Sequence, residues 1–190
     1  WLRDGLVECI KHAIAQDKDY YDYLLQHNKG IRNQEFLSYV VRKNIQLKIE
    51  LMEKDFKENN IAAVLQYGHE FGHAIEYLSG YNQGHGGCVA IGMLLSAHLS
   101  FMLGICDKNL INHHYDILKK YSLPTKLPSN ILENDIILAM RYDKKYKYNN
   151  IQYVLLQSIG KLWELEGEYY IPCDTNYVKK AIRALNTFNR

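Results

Sequence analysis

The sequence predicts a mainly α-helical domain that carries one small β-hairpin. Three observations lead there. Apolar residues recur every three to five positions through most of residues 4–142, which is a helical period. From residue 151 that period is lost, and β-branched and apolar residues crowd together instead. The chain of 190 residues is 47% hydrophobic and 23% charged, the composition of one globular domain or two small ones.

The elements follow in order. Residues 4–16 (DGLVECIKHAIAQ) place Leu6, Ile10, Ala13 and Ile14 at helical spacing, with Asp4 as the expected N-cap. A second helix is expected over 17–27. A long one over 33–57 follows from Phe36, Val40, Val41, Ile45, Ile49 and Met52. Residues 61–79 read as one continuous helix through His69 and His73. The stretch SGYNQGHGG, with glycines at 80, 84, 86 and 87, reads as a loop. An apolar helix is expected over 88–103 and another over 108–121, closed by a turn at Leu123-Pro124; residues 133–142 are helical as well. Residues 151–159 read as one strand that turns at Gly160-Lys161 into a second, 162–165. A closing helix covers 174–186, with Asp174 or Thr175 as N-cap.

Composition removes several function classes. A net charge of +2 gives no basis for nucleic-acid binding. No apolar run reaches the ~18–20 residues of a membrane span, and the longest, 88–95, is broken by glycine. Cys9, Cys88, Cys106 and Cys173 are widely and irregularly spaced, which predicts free thiols and a reducing, cytoplasmic setting. The chain opens on Trp1 directly into a helical pattern, so an N-terminal part is expected to precede it.

The chemistry concentrates in QYGHEFGHAIEYLSGYNQGHGG, residues 66–87. On a helix His69 and His73 share a face, since i and i+4 neighbour one another. A third histidine, His85, lies sixteen residues after His69 in the glycine-rich stretch. A lone histidine on an apolar face is usually structural, but three in this arrangement point to a metal site, because neutral imidazole suits Zn²⁺ or Co²⁺. The letters His69-Glu70-Phe71-Gly72-His73 also match H-E-x-x-H, in which Glu70 is the general base of a zinc protease. The extended protease form fails, since Glu76 and Ser79 stand where its glycine and last histidine belong. A downstream glutamate ligand leaves that reading open on residues alone.

A longer set of segments carries a resemblance. GLVECIKHA (5–13), GHEFGHAIE (68–76), HGGCVAIGM (85–93), YSLPTKLP (121–128), DKK (143–145) and VLLQSIGK (154–161) resemble, in that order, the sugar-phosphate cyclases. These are 3-dehydroquinate synthase and its relatives, including 2-deoxy-scyllo-inosose synthase. The resemblance implies that residues 1–190 form the helical, metal- and substrate-binding C-terminal domain of a dehydroquinate-synthase-like fold, with the NAD-binding domain outside this chain. It implies an enzyme that uses NAD and a divalent metal, Zn or Co, on a phosphorylated sugar, commonly as a homodimer.

The same resemblance implies roles for single residues. Glu8, His69 and His85 match the family's metal ligands. His73 matches the histidine that faces the substrate phosphate region. Lys11, Lys48 and Glu58 match substrate-binding groups, the last two at the family's ten-residue spacing. Lys144 matches a phosphate-binding lysine. Taken alone, Lys48 and Lys144 would read as solvated surface. Glu70 falls where Thr or Ser is usual and reads as incidental, so the protease letters are an accident of one variable position. The reaction implied is oxidation of a substrate hydroxyl by NAD, elimination of phosphate, return of the hydride, ring opening and an aldol closure to a carbocycle.

Three departures qualify the match. Dehydroquinate synthases carry an arginine four residues after the matched glutamate and an asparagine eight after it; here stand Ala62 and Gln66. Ala62 has no cation to hold a carboxylate, which implies a substrate without one, such as the glucose 6-phosphate of 2-deoxy-scyllo-inosose synthase. Gln66-Tyr67-Gly68-His69 also resembles that branch. Gly87 replaces the glutamate of the usual H-G-E, which removes a carboxylate near His85. A non-catalytic homologue is the reading that follows if that loss is not made good.

Overall fold

In the computed structural model, residues 2–27, 33–57, 60–141, 146–147 and 150–188 are described. Eight helices dominate: α1 (Leu2–Gln16), α2 (Lys18–Gln26), α3 (Gln34–Lys54), α4 (His69–Leu78), α5 (His85–Met102), α6 (Lys108–Lys120), α7 (Glu133–Met140) and α8 (Thr175–Thr187). A short 3-10 segment, Ile61–Gln66, precedes α4. The strands are β1 (Tyr146–Lys147), β2 (Asn150–Tyr153), β3 (Leu156–Ser158), β4 (Lys161–Leu162) and β5 (Ile171–Pro172).

Helix α5 is the axis of the core. It is apolar on every side, and a helix without a polar face must be buried. Every residue from 88 to 100 is buried, enclosed by α1, α4, α6 and α8. The length and composition of α5 would also suit a membrane span, but here it is the core helix. Side-chain caps set several boundaries, as the sequence suggested: Asp17 accepts from Tyr20 N, Asn33 from Phe36 N, Asp107 from Asn109 N and Asp174 from Asn176 N. All four cysteines are free thiols.

Four expectations are corrected. The helix expected over 61–79 is two elements, because Gly68 takes a left-handed conformation (φ 78°) and breaks the hydrogen-bond ladder between the 3-10 segment and α4. Asp4 caps nothing on its own helix: α1 starts at Leu2, and the Asp4 carboxylate crosses to α5 instead. The loop before α5 ends at Gly84, so His85, Gly86 and Gly87 belong to that helix's first turn. The single strand expected over 151–159 is split after Tyr153 into β2 and β3.

The hairpin itself is present. Strands β3 and β4 pair antiparallel around Gly160, whose N–H donates to Ile14 O at the end of α1 (2.8 Å). Strand β2 instead joins a three-stranded antiparallel sheet in the order β1-β2-β5. At the junction Val154 N donates to Glu70 Oε1 at 3.0 Å, which ties the ribbon to α4.

Candidate functional site

Three helix segments meet at one point. Glu8 lies in the middle of α1, His69 is the first residue of α4, and His85 is the first residue of α5. Each offers a ligand atom within 4.8 Å of the others. The first donor is 61 and 77 residues away from the second and third along the chain, so only the packing of α1 against α5 and of α4 against α5 brings them together.

That packing depends on glycine. A Cβ built on Gly92 of α5 would lie 2.0 Å from Gly68 O, the carbonyl just before His69. Only hydrogen fits there. The two helix starts also place their unpaired N–H groups beside the cluster, which favours anions.

The hydrogen bonds leave one nitrogen on each ring for a cation. His69 Nδ1 faces Tyr67 O at 3.3 Å. A carbonyl only accepts, so Nδ1 carries the proton and Nε2 keeps its lone pair. His69 Nε2 is 3.6 Å from Glu8 Oε1. His85 Nδ1 faces Glu76 Oε2 at 3.1 Å, which by the same logic leaves its Nε2. Lys11, buried at 3% exposure, donates to Glu8 Oε2 (2.6 Å) and to Leu65 O (2.7 Å). Glu8 Oε1 is buried and has no hydrogen-bond partner among the described residues. A buried carboxylate oxygen aimed at a neutral imidazole is costly unless a cation sits between them. Two imidazoles and one carboxylate with open positions are the donor set of a catalytic zinc-type site, so the residues fit a divalent metal.

The remaining expected residues fall around this cluster. His73, one turn after His69, packs its ring edge-on at 5.3 Å from that of His69 and 6.0 Å from that of His85, outside the three-donor group. Gln66 ends the 3-10 segment, half-buried and next to the carbonyl that Lys11 holds. Lys48 is exposed on α3, yet its charge reaches α1. Burial first, then the charges of Lys11 and Lys48, push His12 down to about 4 despite the opposing charge of Glu8. Glu58 and Lys144 lie outside the described residues.

Glu70 corrects the reading of an incidental residue. It is 2% exposed, turned into the core, and accepts the Val154 N–H. A carboxylate committed to the sheet junction is not placed to serve as the base of a protease.

Sequence reasoning missed two further groups. Glu76 supplies a carboxylate to His85 from a neighbouring helix, so the loss marked by Gly87 leaves His85 with a partner. Its position seven residues after His69, two helical turns on the same face, was the available signal. The second is a buried chain behind His69. Tyr67 OH donates to His114 Nε2 at 2.8 Å, and His114 Nδ1 donates to Leu110 O at 2.7 Å. Burial holds His114 neutral, down to about 4. Nothing in one sequence pairs residues 67 and 114.

Residues 5–146 match the family model described as 3-dehydroquinate synthase C-terminal. The chain belongs to this family. Among curated relatives, the 3-dehydroquinate synthase of Thermodesulfovibrio yellowstonii is 36% identical over 170 residues, 86% of this chain and 47% of that protein. That of Syntrophotalea carbinolica is 38% identical over 159 residues, 82% of this chain and 44% of the relative. That of Acetivibrio thermocellus is 34% identical over 187 residues, 97% and 50%. The chain thus spans about half the length of the curated relatives it matches.

Solved structures of the 3-dehydroquinate synthase-like family share the fold. A 2-deoxy-scyllo-inosose synthase complexed with carbaglucose-6-phosphate, NAD⁺ and Co²⁺ superposes with a TM-score of 0.82 at 20% identity, over 96% of this chain and 52% of that one. The 2-epi-5-epi-valiolone synthase of Streptomyces hygroscopicus subsp. jinggangensis, with NAD⁺ and Zn²⁺ bound, gives 0.82 at 21% identity, over 97% and 51%. The helical architecture with its small β region is therefore that of the C-terminal domain of this fold.

Proposed function

We propose that this chain is the metal- and substrate-binding half of an NAD-dependent sugar-phosphate cyclase that acts on a sugar phosphate lacking a carboxylate, glucose 6-phosphate first. The observation that carries the reading is the convergence of Glu8, His69 and His85 on one point, with Glu8 Oε1 buried and short of a hydrogen-bond partner. A divalent cation held there would polarise substrate oxygens and lower a hydroxyl's pKa, while nicotinamide, bound mainly by a domain outside this chain, would take and return the hydride.

The chain's own residues do the rest. Lys11 neutralises and aims Glu8 from its buried position. Its ammonium also borders the substrate's hydroxyl side in the family match. His73 stands beside the cluster and suits a proton held near the leaving phosphate. Lys48, Glu58, Lys144 and Gln66 receive substrate hydroxyl and phosphate groups in the same reading. The unpaired amides at the starts of α4 and α5 add positive potential where an anion would enter. Both helix ends are fixed by core packing, so the geometry is set before substrate arrives.

The choice of substrate rests on Ala62. Its side chain is fully buried, and its N–H is bound to Asp55 Oδ2 at 3.0 Å. No cation is available there to hold a carboxylate. The second reading, 3-dehydroquinate synthase itself, is favoured by the names of the curated relatives. The test is phosphate release by the full-length protein with NAD and Co²⁺ or Zn²⁺, from glucose 6-phosphate and from the heptulosonate phosphate in parallel. Release from the glucose ester alone supports the first reading, and release from the heptulosonate alone supports the second. Metal binding with release from neither would make the protein a non-catalytic homologue.

A further inference from the structure

We infer that Asp4 is a positioning residue of the metal centre, fastening the start of α5, and with it His85, to the helix that carries Glu8. The inference rests on the reading of Glu8, His69 and His85 as a ligand set. Asp4 lies one turn before Glu8 on α1. Its Oδ1 accepts the N–H of Gly86, the second residue of α5, at 2.9 Å across 82 positions of sequence. Helix α5 has no cap of its own, since Gly84 occupies the N-cap position and offers no side chain. The first-turn amides of a helix need outside acceptors, and a carboxylate is the best match to the positive end of the helix dipole.

The glycines around His85 make room for this contact. A Cβ on Gly86 would lie 2.6 Å from Asp4 Cα and 2.7 Å from Asp4 Oδ1. The backbone of α5 therefore approaches α1 as closely as glycine permits. His85 sits between two carboxylates with separate tasks. Asp4 holds the main chain next to it, and Glu76 holds its ring at Nδ1. Without Asp4 the first turn of α5 is free to fray, and the ring hinged on it leaves the point shared with Glu8 and His69. Asp4 is not itself one of the three donors.

The experiment is Zn²⁺ and Co²⁺ titration of the full-length protein, with the Co²⁺ absorption spectrum recorded for each variant. Wild type binds one ion per chain at this centre. Asp4→Ala is expected to lose about 10- to 100-fold in affinity and to shift the Co²⁺ bands, the size typical for removing an outer partner of a ligand. Asp4→Asn, which keeps an acceptor oxygen, recovers most of that loss. Asp174→Ala removes a carboxylate cap from α8, far from the centre, where Asp174 accepts from Asn176 N at 2.7 Å. It lowers the melting temperature comparably and leaves metal affinity and spectrum unchanged. Should Asp4→Ala fail to fold, Gly86→Ala carries the test, with the same expected loss. Wild-type affinity and spectrum in Asp4→Ala, or an equal loss in Asp174→Ala, overturns the inference. If the wild-type protein binds no ion, or Glu8→Ala leaves binding intact, the ligand reading itself fails.

Discussion

The contact between Gly92 and Gly68 is the tightest in the fold that a single methyl group can test. In Gly92→Ala the new carbon would sit 2.0 Å from Gly68 O and 2.9 Å from Gly72 N. Ordinary contact begins at 3.4 Å, so the carbonyl must retreat by about 1.4 Å. That oxygen also accepts the first hydrogen bond of α4, from Gly72 N at 2.9 Å. Both colliding atoms are main chain, so no rotamer change relieves them. Overpacking costs ~1–3 kcal/mol where side chains can give way, and a backbone collision belongs at the top of that range or above. The better helix propensity of alanine returns ~0.5–1 kcal/mol. A net loss of ~2 kcal/mol or more lowers the melting temperature by roughly 4–8 °C or more in a domain of this size. Metal affinity falls too, because the retreating carbonyl precedes His69 and a working site tolerates only ~0.2 Å in its bond lengths. The assay is thermal unfolding of the metal-free protein, followed by Zn²⁺ titration. Gly5→Ala is the control: its Cβ meets nothing within 4 Å, and α1 gains a better helix former. Melting of Gly92→Ala at or above the wild-type temperature would refute the close approach and the geometry built on it.

Three further outcomes are expected. Glu70→Ala leaves the buried Val154 N–H without its acceptor, which costs ~1–3 kcal/mol; melting falls while Zn²⁺ affinity stays within about twofold by the same reasoning. Lys11→Met removes the donor to Glu8 and Leu65 and is expected to weaken Zn²⁺ binding by roughly tenfold, read by competition with a chromophoric chelator. Stability should also fall in acid. Burial lowers His98 to about 4, against ~6.5 when unfolded. Between those values the unfolded chain binds the extra proton, so unfolding is favoured as pH drops from 6.5 to 4. Denaturant midpoints across that window should fall less in His98→Gln than in wild type.

Long helices were legible because their apolar periods repeat for several turns, as in α1, α3 and α6. Failures came where one residue or one distant contact decides. Gly68 breaks an apolar stretch whose period runs on through it, so the 3-10 segment and α4 look continuous in sequence. Strands β1 and β5 have two residues each, too few to show any period. The division between β2 and β3 is anchored by Glu70, 84 residues earlier. Gly86 and Gly87 read as loop because glycine disfavours helix, whereas Gly86 is required by the approach of Asp4. The three donors were legible through resemblance, since spacing alone links only His69 and His73. Glu76 and Asp4 act through bonds between helices, and no single sequence records those.

The most direct measurement is anomalous diffraction at the zinc edge from crystals of the full-length protein grown with Zn²⁺. The account predicts one strong peak bonded to Glu8, His69 and His85 at ~2.0–2.2 Å, with His73 beyond bonding distance. A peak held between His69 and His73 beside Glu70, or none among the three donors, would contradict it.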